Sequence, residues 1–97
     1  MPRMAIRSPK WLVIAALVTL APDTPGVFEL WDDDELLYVG STRRKETLRT
    51  ELERELAAHA AEATHFSWEI TFHPEDRSRE LLAEFETQHH RRPRLNS

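Results

Sequence analysis

Gly26-Val27-Phe28-Glu29-Leu30-Trp31, Asp32-Asp33-Asp34 and Leu36-Leu37-Tyr38-Val39-Gly40 follow one another through the middle of the chain, interrupted only by Glu35. The outer pieces are rich in aromatic and branched residues, as strands are, and three consecutive aspartates suit a turn. This stretch predicts an antiparallel hairpin with strands over 27–31 and 36–39, which places Phe28 and Tyr38 near one another on neighbouring strands. Gly40 marks the end of the second strand, where the lack of a side chain permits close approach of a backbone or a ligand.

Upstream, an apolar run extends from Trp11 to Ala21 behind Arg3, Arg7 and Lys10, and Pro22, Pro25 and Gly26 then break it. The run predicts a core helix ahead of the hairpin. Its alternative reading is the charged and hydrophobic part of a signal peptide, with small Thr19 and Ala21 near a cleavage point; the run is too short to span a bilayer. Downstream, Leu48, Leu52 and Leu56 recur every four residues, which predicts a second helix from Glu46 onward with Arg49 and Glu53 on its flank. Phe66, Trp68, Ile70 and Phe72 alternate with Ser67, Glu69 and Thr71, the period of a strand with one buried face. Pro74, Glu75 and Asp76 suit the first turn of a last helix, whose buried side is Leu81, Leu82 and Phe85.

The fold class expected is therefore α+β: a small three-stranded antiparallel sheet flanked by helices, in the order α-β-β-α-β-α. Residues 1–9 form an N-terminal tail and 10–97 a single domain. Composition agrees, since 97 residues with 40% hydrophobic content are enough for one core and too few for two. Thirteen basic against 17 acidic residues give a formal charge of −4 and a pI near 5.7, the wrong sign for strong nonspecific binding to phosphates. The absence of cysteine excludes disulfides, thiolate metal sites and cysteine nucleophiles. Five histidines form neither an HExxH pair nor a zinc-finger spacing.

Gly26-Val27-Phe28 and Tyr38-Val39-Gly40, with the approach Leu20-Ala21-Pro22 and Pro25, and with Glu84 and Asn96 behind them, resemble the GIY-YIG nuclease family. The similarity covers roughly residues 10–97, and the approach to the first motif resembles the way the chain enters the N-terminal nuclease domain of the bacterial excision-repair incision subunit. It implies an endonuclease that hydrolyses phosphodiesters with one Mg2+ or Mn2+ ion. In that family a phenol relays the proton of the attacking water, a guanidinium neutralises charge on the phosphate, and a carboxylate holds the metal.

Carried onto this chain, the resemblance makes Tyr38 the water-activating phenol, Glu84 the metal ligand and Asn96 a positioning residue. Gly26, Phe28 and Gly40 are the remaining motif positions. Phe28 keeps the ring of a family tyrosine and loses its hydroxyl. For the arginine two registers stand open. One puts Arg49 in the slot; the other, which matches Leu48 and Leu52 to the flanking apolar positions, puts Glu51 there, where a carboxylate would repel phosphate. Arg43-Arg44-Lys45 and the cluster of Arg91, Arg92 and Arg94 are candidate nucleic-acid contacts if the fold brings them to one face. The acidic turn 32–35 reads as solvated in preference to metal-binding.

Three functions follow: a divalent-metal-dependent endonuclease, a catalytically degenerate module that binds nucleic acid, and a protein-interaction domain. The expected partners are nucleic acid, with DNA preferred, and a protein that supplies specificity; no membrane role is expected, and the cytoplasm is the default compartment.

Overall fold

The computed structural model describes Ile6 and residues 9–96; Arg3, Arg7 and the rest of the tail assigned to 1–9, apart from Ile6 and Pro9, lie outside the described residues, as does Ser97. Four antiparallel strands form one sheet, β1 (Trp11–Leu12), β2 (Gly26–Asp32), β3 (Glu35–Ser41) and β4 (His65–Ile70), in the spatial order β1-β4-β2-β3. Three helices accompany them: α1 (Ala15–Val18), α2 (Leu48–Ala58) and α3 (Pro74–His89), with a 3-10 turn at Arg94–Asn96.

The α+β class, the hairpin, α2, β4 and α3 agree with the sequence. The apolar run does not. Instead of one helix over 11–21, it makes the fourth strand and a single helical turn, so the order is β-α-β-β-α-β-α and the sheet has four strands, not three. An unbroken apolar run carries no period that separates helix from strand. Here β4 offers an unpaired side, and Trp11 and Leu12 take it opposite Phe66 and His65. No helix among the described residues is long and apolar enough to cross a membrane.

The hairpin register places Phe28 opposite Gly40 and Leu30 opposite Tyr38, with an irregularity after Leu30 that leaves Trp31 facing Leu36. Alternation along the strands then divides the side chains between two faces. Phe28, Leu30 and Phe66 pack with Leu48, Leu52 and Leu56 of α2 and with Val18 and Ala21, all of them buried. Val27 and Val39 turn the other way and meet Leu81 of α3. Thr47 caps α2 by accepting a 3.4 Å hydrogen bond from the Thr50 amide. Pro74 opens α3 at a position where its missing N–H matters least. The Arg77 guanidinium clamps α3 to β4, donating to both carboxylate oxygens of Glu69 at 2.7 and 3.2 Å.

Candidate functional site

The two motif glycines serve packing, because neither has a positive φ. A Cβ on Gly40 would strike the Phe28 ring and come within 2.7 Å of Tyr38 Cε2, and one on Gly26 would strike the Glu69 carbonyl and Leu48. Removing the side chain at Gly40 lets two aromatic rings lie over the strand, and their centroids are 6.0 Å apart. Phe28 is a core residue.

Tyr38 is half-buried between Phe28 and the His59 ring, 6.1 Å away. Burial, and then the nearby carboxylates of Glu55 and Glu51, hold its phenol above the ordinary range, which opposes release of its proton. Glu51 is buried beside it and anchors the following loop: its carboxylate accepts from the Arg43 amide at 3.1 Å and from the Arg54 guanidinium. Arg49 looks elsewhere. Its Nε donates to the Ala21 carbonyl at 3.1 Å, tying α2 to the segment before β2 in place of a flank pair with Glu53.

Asn96 bonds backbone: its side-chain carbonyl accepts from the Val39 amide at 2.8 Å and its amide donates to the Val39 carbonyl at 3.0 Å. Glu84 projects from α3 into a cavity on the opposite side of the sheet from Tyr38, together with Glu29, Trp31, Ser67 and Leu81. The structure thus brings Phe28, Tyr38 and Gly40 together with Asn96 bonded to the Val39 backbone between the last two, and leaves Arg49 and Glu84 elsewhere.

The metal implied by the nuclease resemblance does not fit this arrangement. Magnesium in such sites rests on one or two carboxylates plus substrate phosphates, yet Glu84 opens into the cavity on the α3 side while Tyr38 packs with the cluster on the α2 side. Among the described residues no three His, Asp or Glu side chains gather as a metal-holding group. The acidic turn is engaged in ion pairs, Asp34 with Lys10 at 3.6 Å and Glu35 with Arg94 at 3.6 Å.

The sequence model of one protein family, described as a domain of unknown function (DUF7508), matches residues 8–88. The chain belongs to this family. No curated protein and no solved structure matches it. The DUF7508 match stops short of Asn96, whereas it includes β1 to β4, α2 and nearly all of α3.

Two features of this DUF7508 chain depart from the sequence reading, one not singled out there and one placed differently. One is Glu29, buried in β2, whose Oε1 accepts from Ser67 Oγ at 3.1 Å while Ser67 Oγ accepts from Trp31 Nε1 at 3.1 Å. Burial raises its carboxyl to about 7 against the opposing pull of the Ser67 hydrogen bond, Arg77 and Lys10, with Glu69 adding to the rise. A lone acid between Phe28 and Leu30 in an apolar strand is the signal that would have found it. The other is Phe72. Expected on the buried face of the third strand, it lies beyond the end of β4 and is 80% exposed. It shares a groove of about 400 Å3 with Arg43, Arg44, Lys45, His73 and Pro74.

The two basic clusters do not meet. The first lies by the start of α3 and the second follows its end, and 16 residues of helix separate them by about 24 Å. Arg92 pairs with Glu86 at 3.2 Å, whereas Arg44 and Lys45 have no ion pair among the described residues.

Proposed function

We propose that this chain is a catalytically degenerate GIY-YIG-like module that binds single-stranded nucleic acid and does not cut it. The groove beside the basic loop carries this reading: Arg43, Arg44 and Lys45 line it with Phe72, whose ring is 80% exposed. Cations beside an exposed aromatic ring suit a single strand, because phosphates follow the charge while a base stacks on the ring. Lys45 holds a left-handed backbone at φ 69°, a strained conformation of the kind that collects at functional loops. Glu75 and Asp76 line the same groove, and with the net charge of −4 they keep binding weak and salt-sensitive.

Hydrolysis is disfavoured by the same geometry. Of the two arginine registers, Glu51 is the one buried beside Tyr38, and its carboxylate would repel a phosphate placed there.

Fluorescence anisotropy of labelled oligo-dT and oligo-U tests the reading, with magnesium or manganese present. Binding is expected at low salt, with a log–log salt slope of about −2 for three phosphate contacts. Phe72→Ala should weaken it by about 1–3 kcal/mol. Arg44→Ala with Lys45→Gly should flatten the slope, the glycine being chosen to suit the left-handed backbone. Absence of binding at about 50 mM salt, or indifference to these substitutions, overturns the binding half. Cleavage that disappears in Glu84→Ala overturns the non-cutting half.

A further inference from the structure

The cavity between α3 and the sheet is a second candidate site, and it shares no residue with the basic groove. Its volume is about 410 Å3, within the range of small-molecule sites. Trp31, Leu36, Leu81 and Phe85 give it apolar walls. Glu29 forms its floor at 5% exposure, and Glu84 enters from α3.

The two carboxyl groups have no close cationic partner among the described residues, and Arg77 and Lys10 act on Glu29 only from beyond ion-pair distance. Among the described residues neither Glu29 nor Glu84 has an ion pair, because the cations at the rim are engaged: Lys10 donates to the Asp33 carbonyl, pairs with Asp34 and lies 4.4 Å over the Trp31 ring. Arg91 lies over the Phe85 ring at 5.3 Å and donates to the Arg92 carbonyl. Glu29 Oε1 is occupied by Ser67, and among the described residues none donates to Oε2. The sealed, partnerless side-chain polar atom among the described residues is Trp11 Nε1, so Glu29 Oε2 is open to the cavity.

We propose that this cavity binds a small organic cation, an amine or guanidinium on an apolar body, with its charge received by Glu29 and Glu84 and its body packed against Trp31, Leu81 and Phe85. An anion would meet Glu84 and, once Glu29 has given up its proton above about 7, a second carboxylate at the floor. A wholly apolar guest would bury the open Glu29 oxygen without a partner, which is unfavourable. An ammonium supplies what the floor lacks, a donor carrying positive charge in a place of low dielectric.

The probe is 4-phenylbutylamine, compared with 4-phenylbutanol, in a heteronuclear NMR titration of the full chain. The Trp31 indole N–H is the reporter, because it donates to Ser67 at the cavity floor. Saturable shifts of this resonance and of the Ser67 amide are expected with the amine, and affinity at least roughly tenfold weaker with the alcohol. Glu29→Gln preserves the acceptor for Ser67 and should weaken the amine by roughly tenfold. Glu84→Gln, on the helix surface, should weaken it less and leaves the floor intact as a check on folding. Equal binding of amine and alcohol, unchanged affinity in both variants, or no saturable shift up to about 10 mM amine overturns the proposal.

Discussion

The two faces of the sheet are built to different standards. On the α2 side, Phe28, Leu30, Phe66 and three leucines fill the space, and the polar groups are committed to structure: Glu51 to the Arg43 amide and Arg54, Arg49 to Ala21, and Thr42 to the Gly26 amide. On the α3 side the buried apolar set is Val27, Val39, Leu81 and Phe85, and beside it lies an open volume above a buried acid that has no close ion pair among the described residues. The residues that resemble a nuclease motif stand mainly on the filled face. The carboxyl best suited to chemistry or recognition stands on the other. Shape and chemical capacity have therefore parted company across a single sheet.

The largest effect that would test this contrast is in the core. Leu52→Ala, in the filled layer, should cost about 4 kcal/mol, and Leu81→Ala, which already borders empty space, about 2 kcal/mol. Equal losses in urea denaturation would show that the two faces are packed alike. The next effect is electrostatic. Folded Glu29 keeps its proton to about 7, whereas its ordinary value is 4.5. The folded state then binds more protons than the unfolded one between those values, so stability falls as pH rises through the window, by up to about 3 kcal/mol. Glu29→Gln should remove that decline, leaving the variant the more stable protein at pH 8; parallel pH profiles would show that Glu29 is not held protonated. The smallest effect belongs to Asn96→Ala, about 1–2 kcal/mol from the two bonds to Val39. Hydrogen exchange at the Val39 amide should accelerate in this variant, and unchanged protection would remove Asn96 from the fold's support.

The hairpin was legible because strand composition and turn residues agreed over 26–41, and α2 and β4 because leucines at intervals of four and aromatics at intervals of two have distinct periods. Trp11–Val18 was not legible, since an all-apolar run hides whichever period it has and its strand exists only through pairing with β4. The choice between Arg49 and Glu51 could not be made from spacing, because it depends on which way α2 faces. Leu48, Leu52 and the buried Glu51 turn inward together, and Arg49 reaches Ala21. The site on the α3 face was hidden for a different reason. Glu29 and Ser67 are 38 positions apart, and only the register that sets them opposite one another turns two alternating polar residues into a cavity floor.

The bonds from Asn96 to Val39 have a further consequence for how copies of the chain meet. A sheet's outermost strands offer unpaired amides and carbonyls that invite other chains to extend it. In this sheet one margin is the two-residue β1, and the other, β3, has both backbone groups of Val39 covered by a side-chain amide that imitates a peptide. Asn96 thus guards solubility as well as shape, by occupying a place that an intruding strand would otherwise use.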